Sequence, residues 1–366
     1  MIEIDGRGEI FRNQKPYLRA VNAWHPTVLE LDNGELLASF DLGQGAESLD
    51  YRTYLSRSSD GGLTWSAPVR LIARETERPT SHTARLTCLR DGSLVAFGAC
   101  FHRDNAEEGL TNRQNMGFVP MDLILLRSGD GGRSWEGPTV IQPPLVGPAF
   151  EICHSLLELS DGTWLTPTST WRGWDGECPN GMKAVALVSE DRGKTWQRFI
   201  DVMDDYANGV IYLEQSVIEW PDGRLLAVSW AFDERSGTSR EVQFAWGDTR
   251  RGFERPKSTG LKGETSKIIH LGDDRVMCIY RRSDRSGLWA AVAQVQDGQW
   301  NTIHQQPIWQ GQHSGMSGQR SASDELAELK VGYPSIRPLS NGDFLIAFWC
   351  CVDGVFQIQF VRLKRG

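Results

Sequence analysis

A motif that occurs three times constrains the fold of this chain more than any other feature. The copies have the form Ser-x-Asp-x-Gly-x-Thr/Ser-Trp and lie at residues 58–65, 128–135 and 189–196. Each copy follows a short apolar run. The Asp of such a turn accepts hydrogen bonds from nearby backbone N–H groups, the Gly adopts a positive φ, and the Trp packs as an apolar plug. Three copies of one turn indicate a fold that is built from repeated units.

This motif resembles the Asp box of the sialidase superfamily, whose members are six-bladed β-propellers. In that family the box lies on the propeller face opposite the active site, so the resemblance implies a structural role for all three copies. A shared scaffold does not specify an activity, and the function has to be argued from other residues.

A second repeat predicts how many blades there are. Six segments have the same form: an apolar residue, a turn with Asp or Asn and usually Gly, and then an apolar strand. The turns lie at residues 31–34, 89–92, 159–162, 220–223, 271–274 and 339–342. Each is a hairpin signal. Six hairpins, combined with the Asp-box turns, predict an all-β chain folded as a six-bladed β-propeller.

The two ends of the chain also read as strands. We expect residues 2–11 to pair with residues 355–363, which would close the ring and remove a sheet edge. Residues 1–366 are therefore predicted to form a single propeller domain. A short helix is expected at 324–330, next to a long irregular segment at 310–323, which would be a lid, a binding loop or disordered.

Composition limits the classes of partner and the compartment. The net charge of −8 argues against a nucleic-acid-binding or anionic-membrane surface. The N-terminus lacks the features of a signal peptide, and no apolar run reaches the roughly 20 residues of a membrane helix. Seven cysteines without CxxC or zinc spacing indicate free thiols in a reducing compartment. We therefore expect a cytoplasmic protein that needs no metal or cofactor, and leave its oligomeric state open.

The repeat also identifies equivalent positions near the top of the first strand of each blade, away from the Asp-Gly turn. Counting back six residues from the apolar residue of each Asp-Gly turn gives His25, Thr83, Cys153, Glu214, Thr265 and Tyr333. These positions are expected to surround the mouth of the central channel, on the face that carries the long loops. Titratable side chains are costly to bury unless they serve one another or a ligand, so this ring predicts the functional site.

Two of these positions resemble the catalytic pair of the sialidase superfamily. The segment 332–339 is similar to the one that bears the nucleophilic tyrosine, and 213–220 to the one that bears its glutamate. The resemblance implies that Tyr333 is the nucleophile and Glu214 its base. A tyrosine hydroxyl has a pKa near 10 and needs such a base. The acid/base of the family is an Asp on the first blade, where Asp41, Glu47 and Asp50 are available, and Asp50 fits the spacing best.

The arginine triad that holds the substrate carboxylate in sialidases is incomplete in this chain. Guanidinium groups bind carboxylates in a bidentate manner. The sequence Trp24-His25-Pro26 stands where the first arginine is expected, Arg240 matches the second, and Arg285 is the cation nearest to the third. The substrate is therefore predicted not to be ordinary sialic acid. His25 titrates near neutrality and is a candidate for anion binding or general base catalysis.

The predicted function is that of an exo-acting, retaining glycoside hydrolase that acts on a small glycoside or oligosaccharide. Its predicted catalytic residues are Tyr333, Glu214, Asp50 and His25, and its predicted substrate-binding residues are Arg240, Trp24, Arg285, His154, Arg85 and Trp171. Two alternatives remain open. One is a lyase that uses His25 and Tyr333 to abstract the proton α to a uronate carboxylate. The other is a non-catalytic carbohydrate-binding propeller.

Overall fold

The computed structural model describes residues 2–73, 80–312 and 314–365. These residues form six antiparallel sheets, and the first strand in the sequence is β1 (Glu3–Phe11). Blade 1 consists of β2 (Asn22–Glu30), β3 (Leu36–Gly43), β4 (Arg52–Ser58) and β5 (Val69–Arg70). Blade 2 consists of β6 (Thr80–Cys88), β7 (Leu94–His102), β8 (Met121–Ser128) and β9 (Glu136–Ile141). Blade 3 consists of β10 (Ala149–Glu151), β11 (Leu157–Glu158), β12 (Trp164–Trp171), β13 (Ala184–Ser189) and β14 (Arg198–Met203).

The remaining blades follow in chain order. Blade 4 consists of β15 (Val210–Glu219), β16 (Leu225–Asp233), β17 (Thr238–Ser239), β18 (Gln243–Asp248), β19 (Gly252–Phe253) and β20 (Lys257–Ser258). Blade 5 consists of β21 (Gly263–Gly272), β22 (Arg275–Arg282), β23 (Leu288–Gln296) and β24 (Gln299–Trp309). Blade 6 consists of β25 (Val331–Pro338), β26 (Phe344–Val352) and β27 (Val355–Lys364). This organisation confirms the predicted six-bladed β-propeller.

Blade 6 is completed by the N-terminal strand. β1 pairs antiparallel with β27, from Glu3 opposite Lys364 to Phe11 opposite Ile358, which is the pairing that the sequence predicts. The chain divides into two compact units. Unit 1 (Met1–Thr111, Val119–Ile141 and Val331–Gly366) contains blades 1, 2 and 6, and unit 2 (Asn112–Phe118 and Gln142–Lys330) contains blades 3, 4 and 5. The single domain stays a prediction.

Both predicted turn types occur where the repeats place them. The six Asp/Asn-containing turns join the first and second strands of the hairpins, and the Asp boxes join the last two strands of blades 1 to 3. In the first box, Asp60 accepts hydrogen bonds from the Thr64 hydroxyl (2.6 Å) and the Thr64 N–H (2.9 Å), while the Gly62 N–H donates to the Ser58 hydroxyl (2.8 Å). The Thr64 donors and Ser58 lower the pKa of Asp60 to about 2.

The predicted helix is present but displaced. Helix α1 (Ala322–Ala327) begins two residues earlier than predicted and ends three residues earlier. The reason is its N-cap, because the Ser321 side chain accepts a hydrogen bond from the Asp324 N–H. Among the described residues no helix is long and apolar enough to cross a membrane.

The irregular segment before α1 is organised by one carboxylate. Glu325 accepts hydrogen bonds from the backbone N–H groups of Ser317, Gly318, Gln319 and Arg320. Burial alone would raise the pKa of Glu325, but Ser317 and these backbone donors lower it to about 2. Residue 313 lies outside the described residues.

Neighbouring blades within a unit pack through apolar side chains. In unit 1 the cluster between blades 1 and 2 includes Leu29, Leu37, Leu86 and Leu94, which are almost fully buried. Such a residue contributes about 1.5–3 kcal/mol through burial. The apolar side chains of the repeated strands therefore hold these neighbouring blades together.

We expect Gly98→Ala to destabilise the protein, because Gly98 on β7 lies directly against the backbone of β6. A Cβ atom there would stand 1.9 Å from the carbonyl oxygen of Thr83. Overpacking of this kind costs about 1–3 kcal/mol. Gly129→Ala is the matched control, since nothing lies within 4 Å of its Cβ position. Urea unfolding of both variants measures the difference, and equal stabilities would contradict the close approach.

Candidate functional site

The predicted ring positions share an unusual backbone conformation in four blades. Among the described residues, the pairing of the first strand with the second is interrupted there in blades 1, 4, 5 and 6. The residues at these bulges have positive φ angles: His25 (52°), Glu214 (46°), Thr265 (49°) and Tyr333 (48°). Such angles are uncommon outside glycine, and each costs about 1–3 kcal/mol, a strain that clusters at functional sites. The equivalence inferred from the repeat is therefore visible in the backbone.

In unit 1 a buried carboxylate collects four side-chain donors. Asp41, near the end of β3, is fully buried and accepts hydrogen bonds from Thr53 (2.6 Å), Thr83 (2.7 Å), Tyr51 (2.8 Å) and Arg85 (3.0 Å). Charge-assisted hydrogen bonds of this kind are the strong ones. We call Asp41, Tyr51, Arg85, His25 and Tyr333 the Asp41 cluster.

The charges of this cluster are fixed by its surroundings. Burial would raise the pKa of Asp41, but Arg85, His25 and Thr53 together hold it well below the ordinary value of 3.8. Burial, followed by the neighbouring Asp41 charge, raises the pKa of Tyr51 well above 10.0. At neutral pH Asp41 is therefore an anion and Tyr51 a neutral phenol, so neither residue is suited to donate a proton to a leaving group.

His25 is oriented by these two residues. Its Nδ1 lies 2.7 Å from Tyr51 Oη and 3.4 Å from Asp41 Oδ2. Because the Tyr51 hydroxyl already donates to Asp41, the hydrogen between His25 and Tyr51 belongs to Nδ1. The basic nitrogen of the neutral ring is then Nε2. The His25 side chain is 29% exposed, which suits a group that exchanges protons with a ligand.

Arg85, which is bound to Asp41, also binds Tyr333. Its hydroxyl oxygen accepts a hydrogen bond from Arg85 Nε at 2.9 Å, and its ring lies perpendicular to His25 with the centroids 5.1 Å apart. Tyr333 is 4% exposed. A guanidinium that donates to a phenol oxygen stabilises negative charge on that oxygen. The arrangement can therefore support a nucleophilic tyrosine.

Unit 2 contains a second group of titratable side chains. Glu151 Oε2 accepts a hydrogen bond from the backbone N–H of Glu214 at 2.8 Å, and the Cys153 thiol lies 3.4 Å from the same oxygen. Lys267 Nζ donates to the carbonyl oxygens of Cys153 (2.7 Å) and Gln215 (2.9 Å). We call Glu151, Cys153, His154, Glu214 and Lys267 the Glu151 cluster.

A buried ion pair in unit 2 was not predicted. Arg281 donates to Glu264 Oε2 through Nε (3.0 Å) and Nη2 (2.8 Å), and the Met316 N–H donates to Glu264 Oε1 (3.0 Å). Both charged side chains are at most 1% exposed. Glu264 and Arg281 are directly opposite on β21 and β22, so strand register is the signal that would have revealed the pair.

The model of the BNR repeat-like domain matches residues 34–346. The chain belongs to the BNR repeat-like domain family. No curated protein matches it in sequence.

Solved structures share the fold of this BNR repeat-like protein at low sequence identity. A protein of unknown function from Dyadobacter fermentans has a TM-score of 0.75 and 21% identity, with 99% of each chain covered. The K499G mutant of NanB sialidase from Streptococcus pneumoniae has a TM-score of 0.66 and 13% identity, covering 97% of this chain and 70% of that one. The α-L-arabinanase of Penicillium chrysogenum, complexed with arabinobiose, has a TM-score of 0.67 and 15% identity, covering 100% and 99%.

Not every predicted residue of the BNR repeat-like protein joins these clusters. Asp50 is exposed and accepts hydrogen bonds from the Gln44 N–H (3.0 Å) and the Ser48 hydroxyl (2.6 Å), so it caps the loop between β3 and β4. Asp41 is the carboxylate that accompanies His25. Spacing alone had favoured Asp50, because the sequence does not show which loop carboxylate turns inward.

The two tryptophans that are predicted to bind substrate are almost fully buried. Trp24 is 5% exposed and lies between Tyr51 and Phe356. Trp171 is 4% exposed, stacks on Phe118 and donates its indole N–H to the protein backbone. Stacking on a sugar needs an exposed ring face, and both side chains are almost fully buried, so the substrate-binding role of Trp24 and Trp171 stays a prediction.

The other predicted binding residues lie in different environments. Arg240 is exposed and donates to Asp233 through Nε (3.2 Å) and Nη2 (2.7 Å). Arg285 is exposed and lies over the Trp289 ring at 6.0 Å. Burial, followed by the Lys267 charge, lowers the pKa of His154 to about 3, so that this ring is neutral. Within the described part of the chain no group of three or more His, Cys, Asp or Glu residues could hold a metal ion.

We expect Asp41→Asn to destabilise the protein by about 3–5 kcal/mol, because it leaves the buried Arg85 charge without its partner. Asp50→Asn is the control and should cost about 1 kcal/mol or less, as for an exposed hydrogen bond. Urea unfolding at pH 7 measures both variants.

The contribution of Asp41 to the free energy of unfolding should decrease at acidic pH. The pKa of Asp41 is lower in the folded state than in the unfolded state, so its contribution is present above about pH 4 and is lost as the pH falls further. The stability difference between wild type and Asp41→Asn should therefore shrink below about pH 4. A difference that stays constant down to the acid transition would show that Asp41 is not an anion in the folded protein.

Proposed function

We propose that this protein is a retaining glycoside hydrolase in which Tyr333 is the nucleophile and His25 the acid/base. The observation that carries the proposal is the hydrogen bond from Arg85 Nε to Tyr333 Oη, beside His25. Both His25 and Tyr333 lie at strained bulge positions, which is typical of functional residues. The fold is shared with a sialidase and an arabinanase, both of which are glycoside hydrolases.

The chemistry proceeds in two displacements. Tyr333 Oη forms a bond to the anomeric carbon while the glycosidic bond breaks, and protonated His25 gives its Nε2 proton to the departing oxygen. Water then attacks the anomeric carbon and gives a proton to His25, while the bond to Tyr333 Oη breaks and Tyr333 recovers its proton from the base that took it. Two inversions amount to retention of the anomeric configuration. For the base that takes the proton of Tyr333, Glu214 remains the residue predicted from the sequence.

Each cluster residue has a defined part in this scheme. Arg85 stabilises the negative charge that develops on Tyr333 Oη as its proton leaves. Tyr51 holds the Nδ1 side of His25, and Nε2 is the nitrogen that we propose exchanges protons with the substrate. The Asp41 anion balances the positive charges of Arg85 and of protonated His25.

The arginines favour a neutral sugar as the substrate. Arg85 is bound to Asp41, Arg240 to Asp233 and Arg281 to Glu264, so each guanidinium already has a carboxylate partner from the protein. Binding a substrate carboxylate bidentately to any of these three arginines would compete with its protein partner. The arabinanase that shares this fold was solved with arabinobiose, a neutral disaccharide.

The lyase is the second candidate, and the His25–Tyr333 contact favours it. The two rings are perpendicular with their centroids 5.1 Å apart, which places a potential base and acid side by side. β-Elimination from a uronate also needs a cation to neutralise the carboxylate. Because Arg85 is already paired with Asp41, we rank this candidate below the hydrolase.

We expect Tyr333→Phe to lower kcat on neutral aryl glycosides by about 1,000-fold or more, since removal of a nucleophile abolishes the covalent route. Tyr280→Phe is the matched control, because Tyr280 is also buried and loses one hydrogen bond, to Gln305. Release of the aryl group, measured over a panel of neutral sugars, uronates and sialosides, gives the rates, and NMR of the first product gives its anomeric configuration.

The outcomes separate the candidate functions. Activity on neutral glycosides with retention, lost in Tyr333→Phe and kept in Tyr280→Phe, supports the hydrolase. An unsaturated product from uronates, detected by its ultraviolet absorption, supports the lyase. Turnover that survives Tyr333→Phe rules out this nucleophile, and binding without turnover across the panel points to a carbohydrate-binding propeller.

A further inference from the structure

The segment between β1 and β2 presents an exposed aromatic ring within a basic stretch of the chain. Tyr17 is 85% exposed, and its neighbour Leu18 is 64% exposed. Residues 10–29 contain three lysine or arginine residues and no Asp or Glu, in a chain whose net charge is −8. All three cations lie within residues 12–19, which we call the Tyr17 loop. They are Arg12, Lys15 and Arg19.

The Tyr17 loop is organised by its own hydrogen bonds. The Leu18 N–H donates to the Lys15 carbonyl oxygen at 3.0 Å, and Pro16 is the second residue of the turn that this bond closes. The Asn13 side chain accepts a hydrogen bond from the Lys15 N–H (3.0 Å) and donates to the carbonyl oxygen of Arg19 (2.5 Å). The exposed ring is therefore presented by a formed turn, which lowers the entropy cost of binding a partner.

The three cations of the Tyr17 loop are available to a ligand. Their side chains are exposed, and within the ranges that the structure describes none of them pairs with a carboxylate. Arg85, Arg240 and Arg281, in contrast, each bind a carboxylate of the protein. A group of like charges without internal partners attracts an anionic partner, and this attraction is screened by salt.

Both ends of the Tyr17 loop lie beside the Asp41 cluster. The ring of Phe11, the last residue of β1, has its centroid 5.4 Å from that of Phe40, which precedes the cluster carboxylate on β3. Asn22, the first residue of β2, donates from Nδ2 to the Gln44 carbonyl oxygen at 2.9 Å, and His25 follows on the same strand. The loop therefore lies at the end of blade 1 that carries His25.

We propose that the Tyr17 loop binds an anionic polysaccharide, and that the neutral sugar released at the Asp41 cluster comes from such a chain. The Tyr17 ring offers an exposed face for stacking on a sugar, and the cations around it bind the carboxylate groups of acidic sugar units. Contacts away from the reacting bond supply binding energy for the reaction. The release of a neutral sugar rests on the proposed function, whereas binding at the loop does not.

A saccharide fits this surface better than an acidic protein or a lipid bilayer does. Stable protein interfaces bury about 1,200–2,000 Å², and a helix that lies on a membrane buries a whole apolar face. The large apolar side chains that the loop exposes are those of Tyr17 and Leu18. One ring with cations on both sides matches the size of one or two acidic sugar units.

The direct test is the binding of polygalacturonate, an acidic polysaccharide, measured by isothermal titration calorimetry at low salt. The wild type should bind it, and should bind neutral dextran at least about tenfold more weakly. Tyr17→Ala should weaken the binding of polygalacturonate about tenfold, whereas Tyr17→Phe should keep it because the ring remains. Arg19→Gln should weaken binding and reduce its dependence on salt.

Leu63→Ala and Arg133→Gln are the matched controls. Leu63 is also 85% exposed and the Arg133 side chain is 62% exposed, and both residues lie in Asp boxes, at the opposite end of the strands from the Tyr17 loop. Both variants should bind as the wild type does. A wild type that does not bind polygalacturonate overturns the proposal, and so does a Tyr17→Ala variant that binds it equally well.

Two other occupants of the loop would also overturn the proposal. One is a second copy of the chain, seen in sedimentation as a wild-type dimer that dissociates in Tyr17→Ala. The other is a membrane surface, seen as binding to anionic lipid vesicles without binding to polygalacturonate.

Turnover separates this inference from the proposed function. The ratio of kcat/KM on pectin with neutral side-chain sugars to kcat/KM on a neutral aryl glycoside should fall about tenfold in Tyr17→Ala, and an unchanged ratio counts against the inference. Loop-dependent binding in a protein that turns over no glycoside would refute the proposed function alone. An active hydrolase that does not bind polygalacturonate would refute only this inference.

Discussion

The buried anion of Asp41 is the constraint on which the unit 1 site depends. A carboxylate with no exposed surface is tolerated only when donors surround it, and Asp41 has four, one of them the guanidinium of Arg85. The same interactions orient the residues that face a ligand. Arg85 bridges Asp41 to the hydroxyl of Tyr333, and Tyr51 bridges Asp41 to the imidazole of His25. One charge thus orients both members of the proposed catalytic pair.

The fold was predictable because its signals are local. An Asp-Gly turn or an Asp box is specified by a few consecutive residues, and their spacing fixes the number of hairpins without any knowledge of long-range contacts. The same spacing located His25, Glu214 and Tyr333 at equivalent positions, which the structure confirms through their shared bulges. The helix was displaced because its start depends on the cap at Ser321 and not on the apolar pattern.

The site itself was only partly predictable, since its contacts depend on strand register. Asp41 lies opposite Thr53 on β4 and meets Thr83 from β6, and neither relation is visible in the spacing that favoured Asp50. Likewise Trp24 and Trp171 are of a residue type that can stack on sugar rings. In the structure Trp24 packs against Tyr51 and Phe356, and Trp171 packs against Phe118. The positive φ angles have no sequence signal, because none of the four residues is a glycine.

The pairing of β1 with β27 affects the order in which the chain can fold. Glu3 precedes all six blades in the sequence, whereas its partner Lys364 follows all the other blades. Blade 6 is therefore completed by a contact between residues that are 361 positions apart, and contacts of such large separation form slowly because they close a large loop. Until then β1 lacks its strand partner and presents an unpaired edge on which nascent chains can associate. The contact that completes blade 6 thus also removes an edge through which newly made chains could aggregate.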